Sequence, residues 1–365
     1  MTIKVLCLTQ GGDRPTCATF IGLQQQGVHL TVICPGTHPN FERLRAGGVE
    51  VLDLNVKGNF DRPLIRRLRA LLRERDFDVV HAFSSRTVSN GLLAVRGRPE
   101  KFVAYRGIVG NVSFLDPMSW LRFLSPRIDR VVCVCDAIRD YFLNMRPAWL
   151  RGPDSKYLRI YKGHSLDWYQ DDPVDLRQFG IPRDAFVVGV VANLRPRKGI
   201  DDLVAATHRF PADANIHVLL IGHMESSSLR AQIAAGPHAE RIHFAGYRDD
   251  APAVVAACDV KCLPSKKREG LPRSVIEAMA YGVAPVVTDS GGSPELVVDG
   301  ESGLVVRSAD PDSLAAGILR LYNDRALCAR MGQAARRRIA ERFRVEDTIS
   351  QTRALYSELA ADESG

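Results

Sequence analysis

The sequence predicts an α/β protein with two doubly wound domains, each built on its own parallel sheet. Three observations predict this class. Short apolar runs alternate with amphipathic stretches along the chain, as in successive βα units. The alternation stops once, between Arg159 and Asp184, in a segment of weak periodicity that contains Pro173 and Pro182. The 365 residues suffice for two domains of ordinary size.

The first series of strands predicts an N-terminal domain over residues 1–165. Its strands are almost continuously apolar, as strands covered by helices on both faces must be. They are KVLCL, HLTVICP, VEVLDL, DVVHAF, KFVAYR and RVVCVC. Stretches such as TCATFIGLQQQG and RPLIRRLRALLRER predict helices between them.

The second series predicts a C-terminal domain over residues 166–344. Its strands are FVVGVVANL, IHVLLIG, RIHFAG, DVKCLPS, APVVT and GLVV, and a long helical pattern follows from Glu341 to Ala361. Ligands of such sheets bind outside the carboxyl ends of the strands. We therefore expect two sheets that face one cleft, with the chemistry in the loops that follow strands.

Composition narrows the class of partner. The net charge of +7 suits a phosphorylated ligand or an anionic membrane surface. Nucleic acid is not expected, because the arginines are not interleaved with aromatic residues. The eight cysteines form no CxxC pair and predict reduced, buried thiols in a cytosolic protein. No apolar run is long enough for a membrane-spanning helix, and the N-terminus has the pattern of a strand instead of a signal peptide.

The stretch REGLPRSVIEAMAYG, Arg268 to Gly282, predicts an anion site. Pro272 suits the first position of a helix that runs to Tyr281. The first N–H groups of a helix lack partners and carry partial positive charge, so they attract a phosphate. Gly270 leaves room for the ligand. One turn into the helix, Glu277 is placed to accept hydrogen bonds from a ribose, and Glu269 is placed to face the group beyond the phosphates.

Three further loops follow predicted strands. In VANLRPRKGI, the cations Arg195, Arg197 and Lys198 would neutralise a diphosphate, unless they are only a solvated charge run. After APVVT, a Gly-Gly turn can approach a ligand closely. In LTQGGDRPT, Gly11 and Gly12 follow the first strand, but the motif is not GxGxxG, so a nicotinamide cofactor is not expected.

Together, RKG, REGLPRSVIEAMAYG and GGSPELVVDGESGLVV resemble the family-4 retaining glycosyltransferases of GT-B architecture. The signature of that family is E-x7-E, here Glu269 and Glu277. The resemblance covers nearly the whole chain and is strongest from Val188 to Val306. It implies a GT-B fold, with two Rossmann-like domains facing across a cleft and a final helix, about 345–365, that crosses back to the N-terminal domain. A weaker resemblance is to members found in bacterial surface-polysaccharide pathways.

The resemblance also implies roles for particular residues. Arg195 and Lys198 would bind the donor diphosphate and stabilise the leaving nucleotide, Glu277 would hold the ribose, and Glu269 would contact the donor sugar. The base would lie against Ala245 to Arg248. The donor-binding set implied in this way is Gly11, Gly12, Arg195, Lys198, Gly246, Tyr247, Gly270, Leu271, Pro272, Arg273, Ser274 and Glu277.

Two positions depart from the family pattern. Many relatives carry an arginine where this chain has Asn193, and Arg195 is expected to take over. Many relatives carry a histidine at the turn after KFVAYR, where this chain has Arg106. Arg106 could bind an anionic acceptor or the diphosphate, and we include it among the catalytic candidates although it cannot act as a base at neutral pH. His81 at another strand end is either a packed or an active histidine.

Two stretches concern the acceptor. In Arg62 to Arg75, leucines recur at helical spacing. Either they pack a crossover helix on the sheet and its arginines lie in water, or the same arginines bind anionic lipid headgroups. In NVSFLDPMSWLRFLSPRIDR, the large apolar residues form either a buried helix or a lipid-facing acceptor patch.

We therefore expect a retaining glycosyltransferase that moves a sugar from a UDP- or GDP-linked donor to a saccharide or lipid-linked saccharide, in lipopolysaccharide or another envelope glycan. Neither cofactor nor metal is expected, since the lone DxD, Asp76 to Asp78, precedes a strand. The protein would be cytoplasmic, free or at the inner face of the cell membrane. The alternatives are a nucleotide-sugar epimerase of the same architecture and a non-catalytic nucleotide-sugar-binding partner.

Overall fold

The structure, a computed structural model, describes residues 2–361. The chain forms two compact units. Unit 1 contains the residues up to Gly163 and those from Arg344 onward, and unit 2 is His164–Phe343. The predicted boundaries, 165/166 and 344/345, fall one or two residues later in the chain. No helix among the described residues is both long and apolar enough to cross a membrane.

Unit 1 contains a seven-stranded parallel sheet in the order β3-β2-β1-β4-β5-β6-β7. Its strands are β1 (Lys4–Leu8), β2 (His29–Cys34), β3 (Glu50–Asp53), β4 (Val79–Ala82), β5 (Lys101–Arg106), β6 (Arg130–Cys133) and β7 (Tyr157–Arg159). The sequence predicted the first six. The seventh strand is a correction, because Arg159 was assigned to the segment between the domains.

Helices cover both faces of this sheet. They are α1 (Arg14–Gln25), α2 (Asn40–Ala46), α3 (Arg62–Glu74), α4 (Ser85–Ala94), α5 (Pro117–Trp120) and α6 (Asp136–Leu143). Side chains at the N-caps fix where several of them begin: the carboxylate of Asp13 accepts the N–H of Thr16, and that of Asp61 accepts the N–H of Leu64. These bonds satisfy N–H groups that the helix itself leaves unpaired.

Unit 2 contains a six-stranded parallel sheet in the order β10-β9-β8-β11-β12-β13. Its strands are β8 (Phe186–Val191), β9 (Ile216–Ile221), β10 (Ile242–Gly246), β11 (Val260–Leu263), β12 (Ala284–Thr288) and β13 (Leu304–Val306). All six lie in the runs that the sequence predicted. Each sheet thus has the strand order 3-2-1-4-5 of a doubly wound α/β domain, as expected.

The helices of unit 2 follow its strands in turn. They are α7 (Ile200–Thr207), α8 (Ser227–Ala234), α9 (Ala251–Ala256), α10 (Arg273–Ala280), α11 (Ser293–Leu296), α12 (Pro311–Asn323) and α13 (Arg325–Arg342). Buried apolar side chains form one core on each face of the sheet. Val188, Val260 and Cys262 belong to the first core, and Val187 and Leu219 belong to the second.

The last described helix, α14 (Val345–Ala361), belongs to unit 1 and packs along α1. Gly22 of α1 permits this close contact, since a Cβ there would lie 2.3 Å from Cδ1 of Ile349. The helical pattern from Glu341 to Ala361 is therefore not one helix: α13 ends at Arg342 in unit 2, and α14 begins in unit 1. Residues 362–365 of the predicted final helix lie outside the described part of the chain.

Candidate active site

Three loops of unit 2 come together because they follow neighbouring strands, β8, β11 and β12. Two glycines allow the loops to touch. A Cβ at Gly199 would lie 1.9 Å from the carbonyl oxygen of Pro264, and one at Gly291 would lie 2.0 Å from that of Glu269. Both glycines also adopt positive φ, 64° and 58°. Only residues without a side chain fit here, so the loops form one surface at the carboxyl edge of the sheet.

Glu269 is the central group of this surface. Its side chain is 7% exposed, and one carboxylate oxygen, Oε1, accepts from Lys198 Nζ at 2.7 Å and from Ser265 Oγ at 2.7 Å. Arg197 Nη1 lies 3.5 Å from the same oxygen. A carboxylate this buried requires such partners, since desolvation of an unpaired charge is costly. The structure thus brings together Glu269 and Lys198, two of the predicted catalytic residues.

Two residues of this cluster were not in the predicted set. Ser265 precedes the signature motif and carried no signal of its own. Arg197 was recognised as part of the charged loop, but Arg195 was preferred through the family resemblance. In the structure Arg197 reaches Glu269, whereas Arg195 is exposed and extended at φ −144°. Arg197 therefore joins the cluster around Glu269, and the role of Arg195 in binding the donor diphosphate stays a prediction.

The backbone next to Glu269 is unusual. Arg268 adopts φ 67°, a left-handed conformation that is uncommon outside glycine. Such a conformation costs about 1–3 kcal/mol and persists only where the surroundings impose it. Here it turns the chain so that the Glu269 carboxylate points into the cluster while its carbonyl contacts the Gly291 turn. Two buried hydroxyls of that turn, Ser290 Oγ and Ser293 Oγ, have no hydrogen-bond partner.

Helix α10 begins immediately after this loop. Pro272 is its N-cap, not its first helical residue as predicted, and Tyr281 lies just past its end. Gly270 is buried, Leu271 and Ser274 are half-buried, and Arg273 is exposed. Arg273 Nε pairs with the Glu277 carboxylate at 3.2 Å. The side chain of Glu277 is 15% exposed. The first turn of α10 thus presents its N–H groups beside the Glu269–Lys198 pair, as an anion site requires.

The loop after β10 carries the remaining predicted residues of unit 2. Gly246 adopts φ 68°, and a Cβ there would meet no atom within 4 Å. The ring of Tyr247 is 62% exposed and stacks on the imidazole of His223 at 5.1 Å, with 13° between the planes. His223 follows β9, the neighbouring strand, and was not predicted. The pair presents an aromatic face at the carboxyl edge of the same sheet.

Gly11 and Gly12 belong to unit 1, in the loop after β1. They adopt φ 113° and 66°, and Asn40 Nδ2 donates to their carbonyl oxygens at 3.3 and 3.2 Å. A Cβ at Gly11 would lie 2.0 Å from the ring of His38. The loop is therefore packed against Asn40 of α2 and against His38, which precedes that helix. A role for these glycines in binding the donor remains a prediction.

Arg106 also belongs to unit 1, at the end of β5. Its guanidinium is 6% exposed, donates to the carbonyl oxygens of Ile108 (3.0 Å) and Gly110, and lies 4.6 Å from the centre of the Phe123 ring. Burial lowers the pKa of Arg106 to about 10. The predicted anion-binding arginine is thus turned inward, where it fixes the loop that follows β5. An arginine satisfied by its own loop is less available to a ligand than the sequence suggested.

His81 is a packed histidine, the first of its two predicted roles. Its ring is 2% exposed, stacks on Phe83 at 4.1 Å, and bonds through Nδ1 to the hydroxyl of Tyr356 on α14 at 2.7 Å. Burial lowers the pKa of His81 to about 3, so the ring is neutral at physiological pH.

The apolar stretch after β5 is neither a long buried helix nor a wholly exposed patch. Phe123 and Leu124 are buried, while Leu115 is 94% exposed at the tip of the loop. Trp120 Nε1 donates to the carbonyl oxygen of Phe114 at 2.8 Å and closes the loop on itself. Within Asn111 to Arg130, Leu115 is thus the one large apolar side chain that is exposed.

Two family models match the chain, and together they span most of it. The model "Glycosyltransferase Family 4" matches residues 18–150, and "Glycosyl transferases group 1" matches residues 171–338. The first match lies in unit 1, and the second covers all three loops around Glu269. With two doubly wound sheets and the E-x7-E motif in place, the chain belongs to the glycosyltransferases of GT-B architecture, and the protein is an enzyme of that class.

Individual relatives are distant. A phosphatidyl-myo-inositol mannosyltransferase of Mycolicibacterium smegmatis is 26% identical over 352 residues, 90% of this chain and 87% of that protein. An Escherichia coli UDP-Gal:alpha-D-GlcNAc-diphosphoundecaprenol alpha-1,3-galactosyltransferase is 23% identical and spans 99% and 97%. The N-acetyl-alpha-D-glucosaminyl L-malate synthase of Bacillus anthracis is 28% identical over 198 residues, so the chain spans about half, 52%, of that relative.

Solved structures confirm the fold. Anabaena Alr3699/HepE, crystallised with UDP, superposes with a TM-score of 0.81 over 98% of this chain and 100% of that chain, at 23% sequence identity. WaaG, a glycosyltransferase involved in lipopolysaccharide biosynthesis, gives a TM-score of 0.71 over 97% and 99%, at 16% identity. At these identities the likeness establishes architecture and leaves donor and acceptor open.

Proposed function

We propose that the enzyme is a retaining glycosyltransferase that uses a nucleoside diphosphate sugar, UDP- or GDP-linked, and transfers its sugar to a saccharide or lipid-linked saccharide. The observation that carries this proposal is the cluster of Lys198, Arg197 and Glu269 at the N-terminus of α10. It supplies two cations and helix N–H groups for a diphosphate, with a carboxylate beside them for the sugar. The UDP complex of the Anabaena structure supports a nucleotide donor.

The chemistry follows from where charge develops. The bond between the anomeric carbon and the phosphate oxygen breaks, so negative charge grows on the leaving diphosphate. Lys198 and Arg197 stabilise that charge, together with the first N–H groups of α10. In the free enzyme both cations are directed at Glu269; when a diphosphate arrives, they shift toward it and the carboxylate becomes available to sugar hydroxyls. The acceptor hydroxyl attacks on the face the diphosphate leaves, and its proton passes to a leaving phosphate oxygen.

The nucleoside is placed by the neighbouring loops. Glu277 accepts hydrogen bonds from the ribose hydroxyls, one turn from the phosphates. The base lies against Gly246 and the exposed ring of Tyr247, which His223 supports from behind. Backbone contacts at this loop would distinguish uracil from guanine. We propose that no metal is needed, because protein cations supply the positive charge.

The acceptor is proposed from the relatives. Two act, by their names, on lipid-anchored substrates, a phosphatidyl-myo-inositol and a diphosphoundecaprenol-linked sugar. A structural relative is involved in lipopolysaccharide biosynthesis. We therefore propose an envelope glycan acceptor, held by unit 1 through loops that include Gly11 and Gly12.

The test is a transfer assay in EDTA with UDP-, GDP-, ADP- and CMP-sugars and a panel of lipid-linked and free saccharides. Proton NMR of the first product reports the configuration at the transferred anomeric carbon. We expect one donor to be used, with its configuration retained. An inverted product would refute retention, and activity only after a divalent cation is restored would refute metal independence.

We further propose that α3 docks the enzyme on an anionic membrane at the cytoplasmic face. The leucines of α3 are buried, so this helix would meet a membrane through its arginines and not through its leucines. Its arginines remain exposed, namely Arg62, Arg66, Arg67, Arg69 and Arg73. Arg69 and Arg73 also line an open concavity of about 550 Å³ with Arg96 and Arg98. A concentration of arginines on one face attracts anionic headgroups by about 1 kcal/mol per residue.

Co-flotation with vesicles tests this docking. The variant Arg66→Glu/Arg67→Glu/Arg73→Glu should lose binding to vesicles that contain phosphatidylglycerol. A matched control, Arg330→Glu/Arg336→Glu/Arg337→Glu on the exposed face of α13, carries the same change in charge and should still bind. Equal binding by the two variants would show that net charge, and not α3, governs the association.

A further inference from the structure

The loop that carries Arg197 and Lys198 touches the loop after β11 at two adjacent points. Gly199 closes the first loop, and a Cβ added there would lie 1.9 Å from the carbonyl oxygen of Pro264 and 3.5 Å from Cγ of Lys266. The backbone N–H of Lys266 donates to the carbonyl oxygen of Arg197 at 2.8 Å. The side chain of Lys266 therefore begins directly beside the two cations of the proposed diphosphate site.

From this contact, the side chain of Lys266 extends to the first turn of α7. Its ammonium lies 2.7 Å from Oδ2 of Asp201 and 3.0 Å from Oδ1 of Asp202. The side chain of Asp202 is 16% exposed, and no hydrogen-bond partner among the described residues reaches its Oδ2. A carboxylate this buried requires a cation. Lys266, Asp201 and Asp202 thus form a clamp between the loop after β11 and the helix that follows Lys198.

Lys266 is either a third cation for the diphosphate or a support for the other two, and its contacts decide between these roles. Its ammonium is bound by two carboxylates of α7, whereas the ammonium of Lys198 is directed at Glu269. Like charges on neighbouring loops repel each other, so the neutralisation of Lys266 by Asp201 and Asp202 lets the loops approach. These contacts make Lys266 a support, and its charge is not directed at the ligand.

We propose that Lys266 is a positioning residue for the diphosphate site: by joining the loop after β11 to the start of α7, it holds Arg197 and Lys198 where negative charge grows on the leaving group. This rests on the proposed role of those two cations in donor binding. The preceding residue, Ser265, donates to the Glu269 carboxylate at 2.7 Å, so one short segment fixes both the carboxylate and the cations. Stabilisation of a leaving group depends on such fixed geometry, and a displacement of about 1 Å can cost about a hundredfold in rate.

Hydrogen–deuterium exchange and donor turnover of the full-length enzyme test the clamp together. Lys266→Met removes the ammonium but keeps the backbone N–H and the stem of the side chain beside Gly199. It should speed amide exchange over residues 195–203 about tenfold and lower kcat/KM for the nucleotide sugar about tenfold. Lys266→Arg keeps the charge and should restore both values toward wild type. The control Lys267→Met, at the next and exposed lysine, should match wild type in both measurements.

Asp201→Asn/Asp202→Asn removes the other half of the clamp and guards against a Lys266 variant that fails to fold. It leaves no buried carboxylate unpaired, and the side chain of Lys266, 28% exposed, can reach water. It should reproduce the effect of Lys266→Met, which should add little in that background. Unchanged loop exchange or unchanged kcat/KM in Lys266→Met would overturn the inference, even if thermal stability fell. Faster loop exchange beside a wild type that releases nucleotide from no donor would instead overturn the proposed function, and the diphosphate role of the clamp with it.

Discussion

At the scale of single residues, the site depends on how closely its loops approach. Gly291 places the Gly-Gly turn directly on the carbonyl of Glu269, and Gly292 N–H donates to that same oxygen at 3.4 Å. Ser265, which bonds the Glu269 carboxylate, is itself held by Thr288, whose Oγ1 donates to its carbonyl oxygen at 2.6 Å. Glu269 is therefore positioned from both sides by neighbouring loops.

Gly291→Ala should consequently abolish most donor turnover. The added Cβ would lie 2.0 Å from a backbone oxygen, so the loop must move, and the left-handed φ adds strain. Gly300→Ala is the matched control, because Gly300 also has positive φ, 78°, but a Cβ added there would meet no atom within 4 Å. It should cost only about 1 kcal/mol of stability and retain activity. Similar turnover in the two variants would contradict the role given to Gly291.

His81 makes the stability of the enzyme depend on pH. The pKa of its imidazole is about 3 in the folded protein against 6.5 in the unfolded chain. Between these values the unfolded chain binds a proton that the folded protein does not, so the free energy of unfolding falls as the pH falls. From pH 6.5 to 5 this group alone removes roughly 2 kcal/mol. In urea unfolding at both pH values, His81→Gln should lose less stability than wild type. An identical loss would show that other groups dominate.

At the scale of elements, buried parallel strands were the most predictable feature. Their apolar runs are unambiguous because both faces of each sheet are covered. β7 escaped prediction because it has three residues, YLR, and one of them is exposed. Capping residues predict where a helix begins, but at Pro272 the prediction was off by one position. Proline is compatible with both the N-cap and the first helical turn, and the backbone φ and ψ decide which of the two it occupies.

Part of the candidate site was also predictable from the sequence. Glu269, Lys198 and Glu277 stand in motifs whose spacing follows a strand, the loop after it and the next helix. The direction of a long side chain does not follow from spacing. The Arg106 side chain turns inward and donates to carbonyl oxygens of its own loop, and Arg197, in the 3-10 turn Pro196–Lys198, is the arginine that reaches Glu269.

Helix α14 should stabilise unit 1 through a hydrogen bond as well as through packing. Tyr356 is 0% exposed, and its hydroxyl bonds His81 Nδ1 at 2.7 Å. Tyr356→Phe keeps the ring and should cost about 1 kcal/mol in urea unfolding. Tyr356→Ala should cost about 3–5 kcal/mol, since it leaves a cavity between α14 and the sheet. Equal effects of the two changes would mean that the ring contributes little.

At the scale of the whole molecule, each compact unit has its own sheet and core. Unit 2 also contains every proposed donor-binding residue except Gly11 and Gly12. A fragment of residues 164–343 should therefore unfold cooperatively and bind the same nucleotide as the full chain. Circular dichroism and calorimetry would check both points. A fragment that folds but does not bind would show that the nucleotide needs unit 1.

The most direct test of the donor site is nucleotide release. Purified enzyme is incubated in EDTA with UDP-, GDP-, ADP- and CMP-sugars, and free nucleotide is quantified for wild type, Glu269→Ala, Lys198→Ala and the exposed control Lys57→Ala. We expect slow release from one donor by wild type and Lys57→Ala, and a loss of at least about a hundredfold in the other two. Release that persists in Glu269→Ala and Lys198→Ala would place the chemistry elsewhere.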